Sequence, residues 1–390
     1  MTRFAIICEY NPMHAGHAYH LARAREMGAD EIVCIMSGNF VQRGEPAVAH
    51  KYTRAQTALA CGADLVVELP FPMACSGAEF FASAGVYAAH ALRADVLFFG
   101  SESANIDLLK AAAWASSTEQ FQERYQQLIK TNVGTAAAFA KALEQDLGRD
   151  FPSLSNDLLG LAYCKAILSY GYDIQPVCIQ RVGAAYKQDT LTDQFPSATA
   201  LRKILFEQGF SQMLAHLPPS CAEILKQAHD KGEMLGYQAA FDAAVLGILR
   251  TMPTEQMEAS ALCSGGLGQR IAQAAQNATS LSQLHALCAH KSLPDSHVRR
   301  AVLYAALGIT EQDLRCPPEY LSVLAANARG RAILSELRRT CPVPTVTKPA
   351  DVPDCRQARL SDRADALYTL AMQTPQSASF FKRKSPFMAD

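Results

Sequence analysis

The chain has 390 residues, more than one ordinary hydrophobic core encloses, so two or perhaps three domains are expected. Its composition, 49% hydrophobic and 19% charged with 22 Gly and 19 Pro, excludes a disordered, collagen-like or disulfide-scaffold chain. The formal charge of -1 sums 36 basic and 37 acidic residues and by itself argues against a polyanionic partner, but a sum hides its distribution. Twelve cysteines fall singly with no CxxC pair, which predicts buried reduced thiols and argues against a zinc knuckle or a thioredoxin-like site. The start of the chain lacks the basic segment and long apolar run of a signal peptide, since Asn11 and Pro12 interrupt it at once. No stretch reaches the ~20 apolar residues that span a bilayer. A soluble, cytoplasmic protein is expected.

Short apolar runs rich in β-branched residues occur at 4–8, 32–36, 65–69 and 96–99. Runs apolar on both faces suit buried parallel strands covered by helices on each side. Three of the four follow an Ala-Asp pair: Ala29-Asp30, Ala63-Asp64 and Ala94-Asp95. Helical patterns at 17–27, 52–61 and 79–92 lie between the runs, the first two ending at Gly28 and Gly62, where left-handed C-cap glycines are expected. This order predicts an α/β fold with a doubly wound parallel sheet. Helices rich in Ala, Gln and Glu follow over 105–148 and at 156–169, and a strand at 174–180 returns to the sheet. Beyond Gly209 helical patterns dominate (222–228, 237–250, 271–275, 298–307) with weak strand signals. The expected division is therefore a catalytic portion over 1–210, with a helical insertion at about 105–170, and a mainly α-helical C-terminal portion over 211–390.

Ligands of parallel α/β sheets bind outside the carboxyl ends of the strands, so the loop after the first strand is the first place to look. It reads Cys8-Glu9-Tyr10-Asn11-Pro12-Met13-His14-Ala15-Gly16-His17-Ala18-Tyr19-His20. Gly16 between His14 and His17 lets backbone pass close to a ligand, while the imidazoles and the N-terminus of a helix starting near His17 direct donors at a phosphate. Such donors suit the charge that develops when an α-phosphate is attacked. The alternatives are a metal site, for which a further ligand is missing, and ordinary surface histidines. After the second strand, residues 36–46 carry Gly38, Asn39, Gln42, Arg43 and Gly44, with Lys51 and Arg54 beyond, either as donors at the same sheet edge or as a polar surface loop. Gly100-Ser101-Glu102-Ser103 ends the fourth strand, where the glycine can admit a nucleobase or ribose. Ser197 and Thr199 open a helix carrying Arg202 and Lys203, either as a plain N-cap or as a cradle for the outer phosphates.

HxGH after the first strand with a later Ser-x-Thr-x-x-Arg helix start resembles the HIGH-type nucleotidyltransferase superfamily. Glu9-Tyr10-Asn11-Pro12, residues 36–46, Asp64 to Phe71, Phe99-Gly100-Ser101-Glu102, Ser155-Asn156, Gln180-Arg181-Val182-Gly183-Ala184 and Arg299-Arg300 resemble, more closely, the tRNA(Met) cytidine acetate ligase family. The resemblance runs through most of the chain. It implies an enzyme that joins acetate to ATP as acetyl-adenylate, releases pyrophosphate, and acetylates N4 of the wobble cytidine of elongator tRNA(Met). It also implies an ATP site over Ile7 to His20, with Gly100, Asn156 and Arg181 as further nucleotide contacts.

Acetate is already ionised at neutral pH, so its attack needs charge neutralisation and alignment rather than a base. His14 and His17 are the expected stabilisers of the α-phosphate, with Arg202 and the Ser197 and Thr199 region steadying the pyrophosphate. Mg²⁺ is expected to accompany ATP, with no carboxylate cluster that identifies a protein-bound site and Glu9 and Glu102 merely as candidates, and no base for the cytidine amine can be named. The anticodon loop as partner requires a basic surface. Residues 291–390 carry 15 Lys and Arg against 10 Asp and Glu, a net +5, with clusters at Arg299-Arg300, Arg329-Arg331, Arg338-Arg339 and Lys382-Arg383-Lys384. A small-molecule nucleotidyltransferase and a non-catalytic RNA-binding protein with a vestigial nucleotide site are the competing readings.

Overall fold

The computed structural model describes residues 1–389 except 132–133, 152–153, 182–195, 237 and 292. Val182, Gly183 and Ala184 of the family resemblance lie outside the described residues. Four strands of the first hundred residues form where expected: β1 (Arg3–Cys8), β2 (Glu31–Ser37), β5 (Leu65–Leu69) and β6 (Val96–Ser101), with a short β3–β4 hairpin (Phe40–Val41, Glu45–Pro46). Between them run α1 (Ala15–Glu26), α2 (Lys51–Ala60) and α3 (Ala78–Ala91). Gly28 and Gly62 take φ of 97° and 110°, closing the first two helices as their positions require. α4 (Ile106–Ala115), α5 (Glu119–Ile129), α6 (Thr135–Leu147) and α7 (Ser155–Tyr170) precede β7 (Gln175–Gln180). The sheet order is β10-β8-β5-β2-β1-β6-β7, parallel throughout β5 to β7.

Alternate strand residues enter two different cores. Ala5, Val33, Ile35, Val67 and Phe99 face α3, α4 and α7, while Phe4, Ile6, Ile32, Cys34 and Phe98 face the other side. The second face is covered by α1, α2, α8 (Ala198–Glu207) and, after α9 (Phe210–Leu214), α10 (Pro219–Asp230). The helices α11 (Gln238–Thr251), α12 (Thr254–Glu258), α13 (Leu267–Asn277), α14 (Leu281–Cys288) and α15 (Asp295–Leu307) bury a third core, closed by α18 (Arg356–Tyr368) and the hairpin residue Phe40.

The portion over 211–390 is mainly helical, as expected, and also carries three strands among its described residues. After α16 (Glu311–Arg315) the chain returns to the sheet as β8 (Leu321–Ala326), antiparallel to β5, and then adds α17 (Ala328–Leu337), β9 (Thr345–Val346) and β10 (Phe387–Met388). The weak strand signal was misleading because Leu-Ser-Val-Leu-Ala-Ala is short and alanine-rich, and its buried position overrides that poor propensity.

The Ala-Asp cue has a physical cause. Asp30 accepts from the backbone N–H of Thr2 (2.7 Å), Asp95 from that of Arg3 (2.6 Å), and Asp64 from that of Ile32 (2.8 Å). Each carboxylate fastens an N–H within one residue of the start of the adjacent strand. Asp64 is buried and also binds Arg25 and Asn327 Nδ2 (3.0 Å). Asp64→Ala is therefore expected to destabilise the fold by about 3 kcal/mol in urea unfolding, because it strands several buried donors. Asp30→Ala, at an exposed site, should cost less than about 1 kcal/mol.

Candidate active site

The loop between β1 and α1 is held from three directions. Arg54, fully buried on α2, donates to the carbonyls of Ala49 (2.9 Å) and Ser37 (2.9 Å) and also to those of Glu9 and Gly38, joining the loops that follow β1 and β2. Asn11 Oδ1 accepts from Val48 N (2.8 Å). Arg202, from α8, donates to the Asn11 carbonyl (2.8 Å) and to Thr199 Oγ1 (3.2 Å). Arg202, expected to steady the outer phosphates, is thereby tied to the first loop across 191 residues of chain.

The first helix starts at Ala15, two residues before the expected point, because His14 is its N-cap: Nδ1 accepts from Gly16 N (3.1 Å). That hydrogen bond assigns the proton of the neutral ring to Nε2, leaving an N–H donor at the helix N-terminus. His14 and His17 stack with ring centroids 3.7 Å apart, Tyr10 lies against His17 at 4.9 Å, and His20 stacks on Phe98 at 4.6 Å. His17 Nδ1 and His20 Nε2 are enclosed without a hydrogen-bond partner among the described residues. Burial, reinforced by the Arg181 guanidinium, lowers His14 and His20 to about 4. His17 is held well below its ordinary value by burial and then by His14 and Arg181. All three rings are neutral at pH 7. No acidic residue lies in the first turn of α1, so its positive end is uncompensated.

The remaining candidates gather at the end of β6. A Cβ on Gly100 would lie 2.9 Å from Arg181 Cγ, so the missing side chain makes room for the arginine stem as well as for any ligand. Arg181 Nη1 donates to Asn156 Oδ1 (2.6 Å), and Asn156 Nδ2 donates to Glu102 Oε1 (2.6 Å). Glu102 also accepts from the N–H of Asp157 (2.9 Å) at the start of α7. Asp157, which the sequence reading missed, is fully buried and accepts from Ser101 and from Ser103 Oγ (3.1 Å). Ser197 Oγ accepts from Ala200 N (3.2 Å), the N-cap role, and Thr199 receives Arg202. Glu9 Oε1 accepts from Gln42 N (2.8 Å), fastening the β3–β4 hairpin to the loop.

Two residues expected to offer donors at this edge do not. Lys51 turns inward to Glu68 (2.9 and 3.0 Å) and Asp365 (2.7 Å), and Asn39 accepts from Lys51 N (2.8 Å) while donating to Asp365 (2.8 Å). An acid inside the apolar run Leu-Val-Val-Glu-Leu was the available signal for Glu68. Among the described residues no group of three His, Cys, Asp or Glu side chains could hold a metal ion. No helix among them is long and apolar enough to cross a membrane.

The basic clusters divide between the two edges of the sheet. Arg299 pairs with Glu45 and Arg300 donates to the Gln42 carbonyl (3.0 Å), both on the hairpin beside the loop. Arg329, Arg331, Arg338 and Arg339 are exposed on or just after α17. That helix lies across the amino ends of the strands, where Asn327 meets Asp64 and Arg3 meets Glu336.

The HIGH nucleotidyl transferase family model matches residues 1–383. A tRNA(Met) cytidine acetate ligase of Halothermothrix orenii is 33% identical over 369 residues, covering 89% of this chain and 87% of that protein. The crystal structure of apo Thermotoga maritima TmcAL superposes with a TM-score of 0.92 at 28% identity, and the same protein bound with alpha-thio ATP with a TM-score of 0.90, each covering 100% of both chains. The chain belongs to the HIGH nucleotidyl transferase family and, within it, to the tRNA(Met) cytidine acetate ligase family.

Proposed function

We propose that this protein is a cytoplasmic, ATP-dependent ligase that activates acetate as acetyl-adenylate and acetylates N4 of the wobble cytidine of elongator tRNA(Met). The observation that carries the reading is the stacked, neutral His14–His17 pair at the N-terminus of α1, with Arg181 beside it and Arg202 reaching the same loop. In the first step an acetate oxygen bonds to the α-phosphorus as the bond to the pyrophosphate oxygen breaks. His14 Nε2–H, His17 and the helix terminus supply donors where negative charge grows, while Arg181 and Arg202 provide the fixed positive charge. Gly100, Asn156 and Arg181 lie on the adenosine side in this reading, and Ser197, Thr199 and Arg202 on the pyrophosphate side. In the second step the cytidine N4 bonds to the acetyl carbon, AMP leaves, and the amine loses a proton. The described residues form no carboxylate cluster for a divalent ion, so Mg²⁺ would accompany the ATP phosphates and neutralise part of their charge. Residues 1–210 are assigned to activation and 211–390 to presenting the RNA, with the anticodon loop facing the carboxyl edge of the sheet.

His17→Ala should lower acetate-dependent ATP–pyrophosphate exchange by ~10²-fold or more with an unchanged circular dichroism spectrum. Near-normal exchange in the purified variant would remove the assignment. Exchange that ignored acetate but required a phosphorylated metabolite would favour a small-molecule nucleotidyltransferase.

His14 and His20 bind protons only near pH 4 when folded but near 6.5 when unfolded. The unfolded chain therefore holds more protons between those values, and stability is expected to fall as pH drops through that window. The exchange rate itself should show no inflection near pH 6.5 that belongs to His14 or His17. An inflection there that disappears in His17→Asn would contradict the neutral pair.

Arg43 is exposed on the hairpin next to Glu9, whereas Arg338 and Arg339 sit at the far edge of the sheet. Arg43→Glu should weaken tRNA binding and lower the slope of log affinity against log salt by about one. Reversing Arg338 and Arg339 together should leave that slope unchanged in filter-binding titrations.

A further inference from the structure

One sizeable cleft takes no part in the mechanism above. Its volume is about 510 Å³, within the range of sites that enclose a small molecule. Lys51, Glu68 and Asp365 lie in its floor. The registers Cys8–Met36 and Met36–Glu68 put Glu68 two strands from Cys8, about 10 Å along the sheet. The cleft therefore opens near the same carboxyl edge as the histidine loop, with β8 entering antiparallel to form one wall through Ser322 and Val323.

The chemistry of the floor is one-sided. The three Nζ hydrogens of Lys51 are taken up by both oxygens of Glu68 and by Asp365 Oδ2. Two carboxylates share one ammonium, so the floor carries a net negative charge and keeps only acceptor lone pairs to offer. An anion such as acetate is repelled there, whereas a group with N–H donors is matched. Tyr52, Tyr320 and Phe381 contribute aromatic surface to the walls. The rim carries Lys348, Arg359 and Lys382. Arg359 pairs with Asp354 (2.6 Å) and Lys382 with Asp362 (2.7 Å), all four side chains more than half exposed, so these are weak pairs that a phosphate can replace. Acceptors below, aromatic walls and exposed cations at the mouth are the requirements of an unpaired nucleotide whose base presents an amine.

We propose that this cleft receives a second, unpaired nucleotide of the RNA substrate, with an amino-bearing base turned toward Glu68 and Asp365. The inference rests on the RNA-ligase reading and extends it to a recognition site separate from the ATP loop. Uracil is disfavoured because its O4 acceptor would face carboxylate acceptors. Cytosine differs at that position by an amine, so a pair of mononucleotides isolates the interaction.

The test titrates cytidine and uridine 5′-monophosphates into the full chain saturated with ATP, in parallel with Ser322→Phe, which fills the cleft from β8. Cytidine monophosphate is expected to bind at least about tenfold more tightly than uridine monophosphate, and Ser322→Phe should abolish the difference. The same variant should raise KM for tRNA about tenfold while acetate-dependent pyrophosphate exchange stays near wild type. Equal binding of the two nucleotides, or a difference that survives Ser322→Phe, overturns the proposal. Should that variant fail to fold, Lys348→Glu on the exposed rim replaces it, and unchanged nucleotide binding and KM there overturn the proposal equally. Wild-type protein that exchanges pyrophosphate normally but shows no nucleotide preference removes the cleft alone. Absence of acetate-dependent exchange in wild-type protein removes the ligase reading instead.

Discussion

The buried guanidinium of Arg54 is the constraint on which the carboxyl edge depends. A buried charge is costly unless its donors are met, and an arginine cannot shed its proton to escape the cost. Here the compensation comes from four carbonyls, of Glu9, Ser37, Gly38 and Ala49, rather than from a carboxylate. Satisfying that one group fixes the loop after β1 relative to the loop after β2. Lys51 stands three positions earlier on the same helix and organises Glu68, Asp365 and Asn39 in the same way. One helix thus sets the spacing between the histidine loop and the neighbouring cleft, which explains why α2 carries a buried arginine and a largely buried lysine at the floor of that cleft.

The electrostatics of the histidine loop follow from how its acids are occupied. Glu9 receives the hairpin N–H, Glu102 caps α7, and Asp157 is enclosed by two serines. None of these carboxylates has to be displaced from a cation before a triphosphate can enter. The imidazoles stay neutral because burial and Arg181 oppose their protonation, so in the proposed mechanism they act as dipolar donors while the two arginines supply charge. Donors held by an N-cap, a ring stack and a helix need little rearrangement as charge develops, which is the condition for electrostatic catalysis.

Much of this was legible in the residues. Strands apolar on both faces declared the parallel sheet, and the Ala-Asp repeats marked positions whose carboxylates fasten the neighbouring strand. His14 and His17 lie after the first strand, where their spacing placed them. What could not be read was pairing over long separation. Lys51 finds Glu68 only 17 residues away but Asp365 at a separation of 314; the acid inside an apolar strand marks Glu68 as needing a partner, but no local pattern announces Asp365. β8 was obscured for a related reason: its alanines are tolerated because β5 is already in place to receive them, a tertiary circumstance that propensity does not contain.

Net charge is the clearest case of a quantity that needs the fold to acquire meaning. A total of -1 conceals a basic final hundred residues, yet even that excess is not one surface. Lys384 is taken by Glu233 (2.9 Å), which His50 also binds (3.0 Å), and Arg299 by Glu45, so part of the positive charge fastens the chain to itself. The arginines of α17 occupy the amino edge of the sheet, opposite the histidine loop. In the proposed RNA-ligase reading, a phosphodiester chain directed at that loop would meet instead the exposed Arg43 of the hairpin and the exposed Arg359 and Lys382 beside the cleft. Because exposed ion pairs exchange partners at little cost, those two cations can turn from Asp354 and Asp362 to phosphate.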